Sequence, residues 1–137
     1  MIPSHASNDS RDSQDLRSAD RPDVDALGAV LALEASVVRA DEILETGHLS
    51  DALAAWERII EIAGDLFGPH DAAVIDAERV VAAILVRLGR IGEARLTLTV
   101  AASRLDGVAA EAEVRSGVDR DLRRLDELTA RPTLAAG

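Results

Sequence analysis

Apolar residues recur along this chain at the three- and four-residue spacing of one helix face, and glycines break the pattern at intervals. Val30, Leu33, Val37, Ala40 and Leu44 form one stripe, and Leu27, Leu31, Ala35 and Val38 form a second beside it. A helix apolar around so much of its circumference is expected to pack on more than one side. This predicts helix 1 from Pro22, capped by Asp20 or Asp23, to about Thr46, where Gly47 stops it. Helix 2 follows to Phe67 with Ser50 or Asp51 as cap and Leu53, Trp56, Ile59, Ile60 and Ala63 inward. Gly68-Pro69 ends it, because proline cannot continue a helix. Asp71 is the expected cap of helix 3, whose apolar set is Val74, Val81, Ile84, Leu85 and Leu88. Helix 4 is predicted from Gly92 to Leu105 with Ala94, Leu98, Ala101 and Leu105 inward, and Asp106-Gly107 closes it. Helix 5, from Val108 to Ala130, has a narrow stripe of Val114, Val118, Leu122, Leu125 and Leu128. The rest of its surface is charged, with Glu111–Arg115 and Asp119–Arg123 at the favourable four-residue spacing. Such a helix reads as a terminal lid, one face on the stack and the others in water. Gly117 inside it costs about 1 kcal/mol against alanine and reads as a bend.

Two of the breaks are the same. Gly47-His48-Leu49-Ser50-Asp51-Ala52 and Gly89-Arg90-Ile91-Gly92-Glu93-Ala94 share glycine, a large apolar residue, an acid and alanine at matching places, 42 residues apart. A period of this size signifies stacked supersecondary units. Glycine permits the chain reversal, and alanine at the start of the second helix lets it approach the first. Trp56 and Leu98 correspond across the period as large core side chains. The expected fold class is therefore all-α, built from antiparallel helical hairpins. Repeat 1 covers residues 24–67, repeat 2 covers 71–105 and a capping helix covers 108–130, inside a domain of 22–130. Residues 1–21 carry too little apolar surface to offset the entropy of ordering and are expected to form a disordered tail, and residues 131–137 to fray.

These turns resemble those of tetratricopeptide repeats, and the 42-residue period with its Gly-Pro linker resembles the kinesin-light-chain subtype. In that subtype the linker typically reads Leu-Gly-Pro-Asp-His-Pro-x-Thr-Leu. Here it reads Leu66-Phe67-Gly68-Pro69-His70-Asp71-Ala72-Ala73-Val74-Ile75, with His and Asp exchanged, Ala72 for the second proline and Val74 for the threonine. Arg39 also departs from the pattern, standing where the family is apolar. The extra length over a common repeat of about 34 residues adds roughly 12 Å of helix, shared between two helices. The resemblance implies a right-handed α-solenoid fragment whose first helices line a concave face. Its groove positions fall on Glu34, Val37, Asp41, Leu44 and Glu45 of helix 1 and on Asp76, Arg79, Ala83, Val86 and Arg87 of helix 3. The helix 1 set is acidic with apolar members between, which suits a basic peptide or protein. The implied function is that of a non-enzymatic adaptor, scaffold or chaperone. Ordinary solvated charge on an inner face is the plainer account of the same residues.

Composition removes several other classes. Net charge is −10, all 15 basic residues are arginine, and Trp56 and Phe67 are the only aromatics. Such a chain repels phosphate backbones and lacks stacking platforms, so no nucleic-acid partner is expected. With no cysteine there is no disulfide, thiolate nucleophile or cysteine metal site. The Ala/Arg/Asp/Val bias fits a GC-rich bacterial genome. The N-terminal twenty residues have no apolar run of secretory type, and Ala26–Leu33 is too short to span a bilayer, so a cytoplasmic protein without a membrane partner is expected. His5, His48 and His70 lack metal-ligand spacing; His48 and His70 sit in turns, where solvation or capping is the simpler role. Gly89-Arg90-Ile91-Gly92 follows a helix and has no lysine, which excludes a phosphate loop. No acid–base pair stands out from the carboxylates. The expectation is no enzyme activity, no cofactor and no metal. Two repeats are fewer than such stacks usually need, and helix 1 has surplus apolar surface, so a self-associating protein dimerising through helix 1 is one alternative. An acidic inhibitor or antitoxin masking a basic protein is another.

Overall fold

The computed structural model describes residues 2–106 and 112–130, with side chains from Val24 onward. Five helices follow one another: α1 (Ile2–Glu45), α2 (Leu49–Phe67), α3 (Ala72–Arg87), α4 (Ile91–Leu105) and α5 (Ala112–Thr129). Each packs on its sequence neighbour, and α3 also touches α5. The architecture is the all-α arrangement of helical hairpins that the periodicity predicts.

The 42-residue repeat is literal in the backbone. Gly47 has φ +82° and Gly89 has φ +79°, in the left-handed region that favours glycine. The residues that follow them, His48 (φ −80°, ψ 73°) and Arg90 (φ −94°, ψ 63°), have nearly the same conformation. In both turns the glycine N–H donates to a carbonyl three residues back, Leu44 and Val86, at 3.0 and 2.9 Å. Ala52 and Ala94 are fully buried just inside the second helix of each hairpin, as the close approach requires. Gly68, at φ +91°, ends α2 at the linker. Asp71 caps α3 as predicted, its carboxylate accepting from Ala73 N–H at 2.9 Å.

The core lies in two connected clusters. The larger gathers Leu33 and Ala40 from α1, Leu53, Trp56 and Ile59 from α2, Val74, Val81, Ile84 and Leu85 from α3, Leu98 from α4 and Leu125 from α5. The smaller joins Ile75 of α3, Ala101 and Leu105 of α4, and Val114 and Val118 of α5.

Four expectations change. First, α1 starts at Ile2, not at Pro22. Adding residues to an existing helix needs no new nucleus, so a packed helix can extend beyond its contacts. Second, α2 has no side-chain cap: its N-cap is His48, and neither Ser50 nor Asp51 serves. The repeated turn already places His48 C=O to accept from Ala52 N–H at 2.9 Å, so the helix starts before either side chain could act. Third, the second stripe of α1 is not covered. Val24, Leu27, Leu31 and Val38 are 69%, 60%, 56% and 58% exposed. Fourth, Leu128, expected inward on α5, is half exposed and lines the rim of a cleft between α3 and α5. The predicted start of helix 5 at Val108, the Glu111–Arg115 pair and the frayed residues 131–137 lie outside the described residues.

Candidate functional site

The predicted groove residues fall into two separate places. On α3, Asp76, Arg79 and Ala83 line a cleft of about 580 Å³ together with Val114 and Asp121 of α5. Arg79, Ala83, Val86 and Arg87 line a second of about 270 Å³ with Arg124 and Leu128. Both clefts lie between α3 and α5, and the α1 members of the expected groove line neither of them. α5 lies against α3 and engages one of its polar side chains, Arg79.

Arg79 Nε donates to Asp121 Oδ2 at 2.7 Å, and its Nη1 lies 3.7 Å from Asp76 Oδ1. The hydrogen bond to Asp121 raises the pKa of the guanidinium, against the opposing effect of burial. A Cβ at position 117 would collide with the Arg79 guanidinium. Gly117 is thus the seat of the guanidinium on α5. Arg79 is a helix-to-helix clamp between α3 and α5.

Other polar links hold the same end. Arg95 Nη1 donates to Asp126 Oδ1 at 2.6 Å, tying α4 to α5. The C-terminal carbonyls of α4 are satisfied from outside the helix: Arg115 donates to Leu105 C=O at 2.6 Å, and His70 Nδ1 donates to Arg104 C=O at 2.7 Å. His48 Nδ1 is bonded to Thr46 Oγ1 at 2.8 Å in the first turn. In the second turn Arg90 holds Glu93 by two hydrogen bonds, which lower the pKa of the Glu93 carboxyl.

One charged residue went unforeseen. Glu78 sits on the apolar face of α3, with its side chain 5% exposed, and pairs through Oε1 with Arg104 of α4. It lines a shallow groove of about 440 Å³ between α2 and α4, walled by Leu53, Ile60, Leu85, Leu96 and Val100. Its Oε2 is buried without a hydrogen-bond partner among the described residues, as is Trp56 Nε1. The signal was present in the sequence, since Glu78 stands four residues after Val74 and three before Val81, both on the buried face. Arg104 neutralises the charge, so the pair reads as a clamp between α3 and α4.

The α1 half is different. Val37 and Leu44 are half-buried and pack on the core, so they face inward and not into a groove. Glu34, Asp41 and Glu45 are exposed. Glu34 is three residues past Leu31, and Asp41 three past Val38, so these acids run along one border of the exposed apolar strip. The strip itself lies opposite Leu33 and Ala40, the buried face of the same helix. Among the described residues there is no cluster of three or more His, Cys, Asp or Glu side chains able to hold a metal ion. No described helix is long and apolar enough to cross a membrane.

The chain matches no family model, no curated protein and no solved structure.

Proposed function

We propose that this protein is a non-enzymatic interaction module that holds a protein partner against the outer face of α1. The observation that carries the reading is the strip of Val24, Leu27, Leu31 and Val38, each more than half exposed on the side of α1 away from the core. Scattered exposed apolar residues are ordinary, but an aligned row of four marks a surface that another element covers. The tetratricopeptide-like reading supports the same conclusion. Its units are stabilised by stacking, and among the described residues no helix packs on the outer face of α1. The adaptor, scaffold or chaperone role, the intracellular setting and the bacterial source belong to this proposal. The proposed surface is the outer face of α1 and not the groove expected on α1 and α3, because the outer face carries the aligned exposed apolar row.

A photo-crosslinking amino acid at position 31 or 38, introduced into the full chain in its native host, tests this. It is expected to join the chain to one discrete polypeptide, whereas the same group at the exposed Thr99 on α4 joins none. Crosslinks arising only from residues of the α3–α5 clefts would overturn the placement.

A further inference from the structure

We infer that the occupant of the α1 strip is a basic amphipathic helix, and not a second copy of this chain; the inference rests on the reading of α1 above. The apolar spacing comes first. Val24, Leu27, Leu31 and Val38 advance by three, four and seven residues, the pattern of a helix that meets another along its length. From Val24 to Val38 the strip runs about 21 Å, at 1.5 Å per residue, so it takes a partner of about four turns.

Charge then chooses between occupants. Between Val24 and Thr46 the exposed ionisable residues are Asp25, Glu34, Asp41, Glu42 and Glu45 against Arg39 alone. No ion pair involves any of them among the described residues. A second copy would bring this same surplus of acid against itself. In an antiparallel pairing the Glu34–Asp41–Glu45 border would face its own equivalent. A parallel pairing would offer one cation, Arg39, for all of these acids. The whole chain, at net charge −10, adds to the repulsion. A helix with leucine-like residues on one face and arginine or lysine beside them satisfies both observations. Its apolar side chains cover the strip, and its cations meet the acidic border, which speeds encounter and fixes orientation.

The test uses the full chain and two labelled helical peptides of about 18 residues. Both have leucine at three- and four-residue spacing; one carries lysine along the flanks and the other glutamate. Fluorescence anisotropy is expected to show binding of the lysine peptide, weakened at least about tenfold between low and high salt. The glutamate peptide should bind at least about tenfold more weakly. Glu34→Lys with Asp41→Lys and Glu45→Lys should invert that preference without changing the circular-dichroism melt. Equal, salt-insensitive binding of both peptides overturns the choice of a basic partner and leaves the α1 surface standing. A sedimenting dimer that the lysine peptide cannot dissociate shows a second copy to be the occupant. Lysine-peptide binding that survives Leu27→Ser with Leu31→Ser overturns the α1 surface itself.

Discussion

The two ends of this stack of helices are finished in opposite ways. At the C-terminal end α5 lays Val114, Val118 and Leu125 onto α3 and α4 and turns Asp119, Arg120, Arg123, Arg124, Asp126 and Glu127 to water. Arg79–Asp121 and Arg95–Asp126 hold it in place. At the N-terminal end α1 buries one stripe and leaves a second, equally apolar one uncovered. A solenoid normally needs a polar outer face at each end. Here the described residues supply one such face. The difference teaches that the first and last helices of one stack can present opposite outer faces, charged on α5 and apolar on α1.

The sharpest way to break the comparison is to make the same substitution at both ends. Leu125→Ala removes a side chain that is 2% exposed and should cost about 2–5 kcal/mol in denaturant unfolding. Leu31→Ala should change stability by no more than about 0.5 kcal/mol, because its site is already wet. Equal losses would mean that the strip is covered in the isolated protein and that the two ends are alike.

A smaller effect sharpens the description of the closed end. Asp121→Ala strips Arg79 of its strong partner in a half-buried site and should cost about 1–2 kcal/mol. Gly117→Ala forces the guanidinium off its seat, but gains about 1 kcal/mol of helix propensity, so its net effect should be smaller than that of Asp121→Ala. In a double-mutant cycle the two should be non-additive, because both act on Arg79. Additive losses would separate Gly117 from the clamp and return it to the role of a bend.

Much of this fold was readable along the chain because its punctuation is local. Gly47, Gly68, Gly89 and Asp71 each announce a turn or cap through their own backbone preference, and all four act as read. Ala52, Ala94, Trp56 and Leu98 followed from the period. What the sequence hid depends on which helix meets which. The second stripe of α1 looks the same in the sequence whether a neighbour covers it or not. Arg79 looked like a groove residue because its partner, Asp121, lies 42 positions away on a helix whose placement no local pattern encodes. Glu78 broke the binary pattern of α3, and its partner Arg104 lies on the other arm of the same hairpin. The acids Glu34, Asp41 and Glu45 share one exposed side of α1 by their spacing, and they stand beside the outer strip.

The order in which the helices pack also governs how the chain acquires its structure. Since each helix packs mainly on the one before it, few distant segments must find one another. The entropy spent in closing loops before contacts form is small, and folding should fall in the range of microseconds to milliseconds that such topologies reach. On a ribosome the α2–α3 hairpin, which shares the larger apolar cluster, is complete before α5 has been synthesised. The lid therefore arrives last, on a surface already assembled. Stopped-flow refolding with a slow phase sensitive to Val118→Ala but not to Ile59→Val would register that late arrival as a step of its own.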